Sequence, residues 1–145
     1  MAANTLPIYS AKGDIQWGAP TGTAALLTAS NVTYTGTGSV AIVFSASVEG
    51  NFIQRLRFKA SGSTTASVAR IFINNGLPTT TIGNNFLYDE VTLPAITATS
   101  ASATTTIEIP MNFVLPAAYR ITATIGINQL NGGWFVGAVG GSYQQ

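Results

Sequence analysis

Phe52-Ile53-Gln54-Arg55-Leu56-Arg57-Phe58-Lys59 is the stretch whose reading decides the fold. Phe52, Leu56 and Phe58 share one side of an extended chain, and Arg55, Arg57 and Lys59 share the other. That two-residue period belongs to a β-strand with one face buried. Just upstream, Val40, Ile42, Phe44, Ala46 and Val48 recur at every second position. Glu49-Gly50-Asn51 between the two runs is a compact turn signal, so the spacing predicts an antiparallel hairpin here.

The same pattern continues toward the carboxy terminus. Val68 to Ile73 is a β-branched run closed by Asn74-Asn75-Gly76, and Asn75-Gly76 suits a tight turn. A strand is expected from Asn85 to about Leu93, stopped by Pro94. Thr105, Ile107, Ile109, Met111, Phe113 and Leu115 alternate along a longer one, in which Pro110 marks an edge or a break because it cannot donate to a ladder. Ile121, Ala123, Ile125 and Ile127 form the next alternation, and Asn131-Gly132-Gly133 turns the chain into Trp134 to Val139. Toward the amino terminus, Asp14 to Trp17 and part of Ala24 to Tyr34 read as short strands. About eight strands at roughly ten-residue spacing predict an all-β antiparallel β-sandwich of jelly-roll type. They fill a single domain over residues 1–145, with 1–20 as a candidate extended arm.

Composition restricts function as firmly as it restricts fold. The 145 residues include no histidine, no cysteine and only six basic and five acidic side chains, a charged fraction of 8% against roughly 25% in average domains. Proton transfer near neutral pH and thiolate chemistry lose their usual carriers. Among the acids, Asp89 and Glu90 are adjacent and point to opposite faces of a strand, so they form no catalytic pair. They read as solvated charges at an edge or loop. Ser10-Ala11-Lys12 is too weak a pattern for a serine nucleophile with a lysine base. Gly36-Thr37-Gly38-Ser39 lacks the ending and the following helix of a phosphate loop and reads as a turn before Val40. Asn84, Asn85, Asp89 and Glu90 have no calcium-loop spacing. No cofactor and no metal are expected.

A net charge of +1 supplies no general attraction for nucleic acid, and no run of about 20 apolar residues is present to span a bilayer. The start of the chain lacks the basic end and apolar run of a secretory signal, which makes glycosylation at Asn31-Val32-Thr33 an unlikely use of that motif. What remains is recognition by surface. Arg55, Arg57 and Lys59 make a row about 13 Å long on one strand face, suited to an acidic protein surface or a phosphate backbone; the alternative is a solvated sheet face paired with Glu49 or Glu108 on neighbouring strands. Trp17, Trp134, Phe135 and Tyr143 lie near the chain ends, and Trp134 and Phe135 are taken with the basic row as candidate interaction residues.

Lys12-Gly13-Asp14-Ile15-Gln16-Trp17-Gly18, the Phe52 to Phe58 strand, Val68 to Gly76, and Gly133-Trp134-Phe135-Val136 together resemble small virion structural proteins of tailed bacteriophages. The resemblance implies a non-enzymatic protein carried in the particle, made in the host cytoplasm. Its implied role is that of a capsid decoration (cement) protein bound to the major capsid protein or another virion protein. A tail- or fibre-associated module that binds a receptor or glycan is the second expectation, and a hydrolase with a minimal carboxylate pair the third. High apolar content with few charges predicts a homo-oligomer, a trimer for preference, with Trp134 to Val139 as its contact strand.

Overall fold

The structure, a computed structural model, describes residues 10–18 and 26–143. Its strands are β1 (Lys12–Gln16), β2 (Leu26–Leu27), β3 (Ala41–Ser45), β4 (Asn51–Ala60), β5 (Ser67–Asn74), β6 (Asn85–Leu93), β7 (Thr106–Leu115), β8 (Arg120–Ile125) and β9 (Trp134–Ser142). The helical content among the described residues is one 3-10 turn, Ile82–Asn84. Two antiparallel sheets pack against each other. The first runs β1-β9-β4-β7, with β2 also paired to β9, and the second runs β3-β8-β5-β6. The molecule is thus the all-β sandwich that the two-residue periodicity predicts. Of the candidate arm at 1–20, residues 12–16 form an edge strand and 1–9 and 19–20 lie outside the described residues.

Strand pairing is nested. β5 pairs with β6, β4 with β7, β3 with β8 and β1 with β9, each antiparallel. The chain is therefore one long ribbon doubled back at the β5–β6 connection. Alternate segments of the ribbon go to alternate sheets, and two further pairings, β4 with β9 and β5 with β8, join the segments side by side. Each sheet then has one face turned to the other. Ile53, Leu56, Phe58, Trp134, Val136 and Leu115 come from the first, and Val43, Ala69, Ile71, Ile121, Ile125 and Leu93 from the second, all buried in one core.

This arrangement corrects the expected β3–β4 hairpin. The two strands belong to different sheets, and Ser47 to Gly50 carries the chain across the end of the sandwich. Both strands have an apolar face to bury, and lying in opposite sheets lets those faces cover each other. The turn at Asn74 to Gly76 does join paired strands, but the whole connection to Asn85 is longer than a tight turn. Asparagine amides hold it: Asn74 Oδ1 accepts from the Gly76 amide at 2.9 Å, and the Asn75 amide donates to Asn84 O at 3.1 Å. β6 ends at Leu93, as Pro94 requires, and the Pro110 strand β7 is an edge strand, as expected.

The alternation in β4 is broken. Its register against both neighbours shifts between Ile53 and Arg55: against β9 Gln54 is the extra residue of a bulge, and against β7 the extra residue lies in β7, where Met111 and Asn112 stand opposite Gln54. Asn51 and Ile53 point inward before the bulge, and Leu56, Phe58 and Ala60 after it. Phe52 therefore lies on the outer, cationic side, not with Leu56 and Phe58. Gly140 faces the bulge, where a Cβ would meet the Phe52 carbonyl oxygen at 2.0 Å, so a residue without a side chain is required at this close approach.

A side chain closes one long border of the sandwich, and a loop covers part of one face. Gln16 at the end of β1 donates from Nε2 to Ser45 O at 3.1 Å and accepts at Oε1 from the Ser45 amide at 3.0 Å. One glutamine amide thus replaces a strand's two hydrogen bonds and ties the edge of the first sheet to β3. On the outer face of the second sheet, residues 30–39 cover Arg70 and Phe72 of β5. Asn31 Nδ2 donates to the Thr37 and Ser39 carbonyls at 2.7 and 2.9 Å, and Gly36 sits directly over the Phe72 ring. With its amide so engaged and its residue buried, Asn31 is not presented for modification in the folded chain.

Candidate functional site

Residues 30–39 cover Arg70 and Phe72 on the outer face of the second sheet, and among the described residues no such loop lies over the outer face of the first. The bulge at Gln54 puts Arg55, Arg57 and Lys59 on that face. Their partners in β9 are Val139, Gly137 and Phe135, and in β7 they are Pro110, Glu108 and Thr106. On the far side of β9, Ile15 pairs with Val139 and Leu26 with Phe135. Three transverse rungs result: Ile15–Val139–Arg55–Pro110, Gly137–Arg57–Glu108, and Leu26–Phe135–Lys59–Thr106.

Between these rungs lies a groove of about 450 Å³. Its floor is the outer side of β9, one wall is the row of cations, and the other is Ile15 and Trp17. Gly137 sets its depth, since a Cβ there would stand 3.3 Å from Gln16 O and 3.4 Å from Trp17 Cβ. Trp17 is 63% exposed, Ile15 61% and Phe135 42%. Much of the floor's backbone is engaged in the sheet, since β9 pairs with β4 on one side and, on the other, with β2 at Trp134 and Phe135 and with β1 from Ala138 to Ser142.

Electrostatically the row is only partly neutralised. Glu108 Oε1 stands 3.6 Å from Arg55 Nε and 3.9 Å from Arg57 Nε, close enough for an ion pair but beyond hydrogen-bond distance. Both partners are substantially exposed, so each pair contributes about 0 to 1 kcal/mol. Arg55 Nη1 donates to Gln54 Oε1 at 3.0 Å, while its Nε is shielded from solvent with no hydrogen-bond partner. Lys59 Nζ donates to the Thr104 carbonyl. Three cations against one carboxylate leave this face two charges positive.

The candidate residues divide by strand parity. Arg55, Arg57, Lys59 and Phe135 come together at the groove. Trp134 does not: it points inward, is fully buried in the core and pairs in register with Leu27. Its expected contact role is corrected for that reason, since adjacent residues of a strand face opposite sides. The same holds for Trp134 to Val139 as a contact strand. β9 is flanked on both sides within the first sheet, so it presents only Phe135, Gly137 and Val139 outward. Of the two acids proposed as partners of the row, Glu108 supplies the contact.

Sequence reading missed two features. Ile15 and Trp17 reach the groove only because β1 pairs with β9, a contact more than 120 positions apart that no local pattern announces. Arg70, whose side chain is 9% exposed, is held under the 30–39 loop by Glu90 Oε1, 2.9 Å from its Nε, and by the Tyr34 ring, whose centroid lies 4.0 Å from the guanidinium carbon. Among the described residues no group of three or more acidic side chains gathers to hold a metal ion, and no helix is long and apolar enough to cross a membrane. No protein family model matches this chain, and comparison with curated proteins and with solved structures gave no match.

Proposed function

We propose that this chain is a structural protein of a bacteriophage particle, a capsid decoration protein that adheres to the head and strengthens it. The observation that carries the reading is the groove on the outer face of the first sheet: a row of cations beside exposed aromatic and aliphatic side chains, on a sandwich whose other face is covered over β5 by residues 30–39. This is equipment for adhesion. We read the nested strand order as a jelly roll, an architecture used by viral capsid and lectin domains, and that analogy supports the reading without deciding it.

A decoration protein works by linkage. Subunits that bind only the assembled shell favour assembly, and subunits that bridge joints gain from high effective concentration. A trimer suits the local threefold positions of such a shell. The exposed Trp17 and Phe135 also favour a second reading, a tail-associated module that binds a receptor or glycan on flat aromatic rings. Counting the protein in purified particles separates the two. Hundreds of copies per particle, with earlier rupture on heating when the protein is missing, support decoration. A few tens of copies, with intact shells that fail to adsorb to cells, support the tail reading. Sedimentation at micromolar concentration tests the trimer.

A further inference from the structure

We propose that the groove binds an extended acidic segment of the partner protein, laid over β9 with alternate carboxylate and apolar side chains, and that Glu108 is the internal carboxylate this segment displaces. The proposal deepens the adhesion reading above and rests on it for the identity of the partner.

Spacing is the first argument. Arg55, Arg57 and Lys59 follow one another at two-residue intervals, about 6.6 Å apart along a strand. An extended peptide lying along the groove presents its own side chains with that period, one row to each wall. Carboxylates on one row meet the three cations in step. The other row meets Ile15 and Trp17, which are largely exposed and have an apolar floor beside them. The row of cations is about 13 Å long and accepts about five residues of such a segment.

Charge is the second argument. Glu108 serves two guanidinium groups at 3.6 and 3.9 Å without a hydrogen bond to either, and Arg55 Nε is shielded and unpartnered. A guanidinium fork prefers a carboxylate at hydrogen-bond distance, with two parallel bonds. A ligand carboxylate at the exposed nitrogens of the two guanidinium groups supplies the hydrogen bonds that Glu108 does not.

The same inventory disfavours a glycan. Sugar hydroxyls need acceptors as well as donors, whereas arginine and lysine only donate. Along the cationic wall the backbone of the floor is paired with β4, and the Gln16 amide is held by Ser45. Glu108, the carboxylate of the cationic wall, is already shared between Arg55 and Arg57.

The test uses the intact protein and a blocked five-residue peptide alternating glutamate and leucine. Binding is read by emission from Trp17, with Trp17→Phe as control because Trp134 is buried. The peptide should bind with an affinity that falls as salt rises, and its glutamine–leucine counterpart should bind about tenfold more weakly. Arg55→Gln with Arg57→Gln should weaken the acidic peptide about tenfold, and Glu108→Gln should tighten it about threefold. Circular dichroism of each variant establishes that it is folded, and Lys59→Gln provides a second removal of charge should the double variant not fold. Equal binding of the two peptides, unchanged or weaker binding in Glu108→Gln, or tighter binding of a uronic acid hexasaccharide than of the acidic peptide overturns the proposal. Particle binding is scored separately. Arg55→Gln/Arg57→Gln protein that decorates heads normally refutes the groove assignment and leaves decoration standing. Peptide binding in a protein found only on tails refutes decoration and leaves the groove assignment standing.

Discussion

Neighbouring residues Phe52 and Ile53 make the sharpest test of the fold, because a single bulge decides which of them is in the core. An unbroken β4 would bury Phe52 beside Leu56 and turn Ile53 outward. The register shift at Gln54 does the reverse, leaving Ile53 with no exposed surface and Phe52 half-buried on the outer face. Ile53→Ala then removes buried methyl and methylene groups and leaves a cavity between two sheets that cannot collapse freely, at a cost of about 3 kcal/mol. Phe52→Ala gives up part of a half-covered ring, at about 1 kcal/mol. For a chain of this size each kcal/mol lowers the melting temperature by about 2 to 4 °C. Ile53→Ala should therefore melt about 6 to 12 °C lower, and Phe52→Ala about 2 to 4 °C lower. Urea unfolding followed by the fluorescence of buried Trp134 should rank them identically, with unchanged slopes. An unbroken strand reverses the order, since truncating a core phenylalanine costs about 3 to 5 kcal/mol. A larger loss from Phe52→Ala would thus refute the bulge, while leaving Arg55, Arg57 and Lys59 opposite Leu56 and Phe58.

Gly76 has φ +88°, and a Cβ there would lie 2.6 Å from the Ala118 carbonyl oxygen. Gly76→Ala should cost about 2 kcal/mol, while Gly83→Ala, with nothing within 4 Å, should stay within about 0.5 kcal/mol of the parent in the same urea titration. Arg70 and Tyr34 should show a coupling of about 1 kcal/mol in a double-mutant cycle of Arg70→Ala and Tyr34→Ala, for a cation held over a ring in a largely desolvated place. Additive losses would mean that the ring and the guanidinium stabilise the 30–39 loop independently. Trp17→Phe should leave stability within about 0.5 kcal/mol and shift the emission maximum to shorter wavelength, because only buried Trp134 then emits. An unshifted maximum would show that Trp17 is not the exposed tryptophan.

The fold class was legible because a strand's period is written directly into its residues. The strand end at Leu93 followed from local chemistry alone, and Pro110 restricted its strand to an edge or a break, of which the sheet order shows the edge. The bulge was not legible, since inserting Gln54 leaves each half of β4 with a good alternation. Only pairing on both sides reveals that the halves are out of phase. Trp134 and Phe135 look equally suited to a surface in the sequence, and one step of parity sends the first into the core and the second to the groove.

Composition and periodicity by themselves determined that this chain builds two-faced strands, that it lacks histidine and thiol chemistry, and that Arg55, Arg57 and Lys59 lie in a row. These are properties of residue type and of spacing within one strand, which the chain carries wherever that strand goes. Tertiary structure alone decided that Ile15 and Trp17 stand beside the row, that residues 30–39 lie over Arg70 and Phe72 of the other sheet, and that Glu108 falls between two arginines. Each of those depends on which distant strand becomes the neighbour. That choice is made by nested pairing and the burial of two apolar faces against each other, an energy belonging to the assembled sheets and to no segment of the chain.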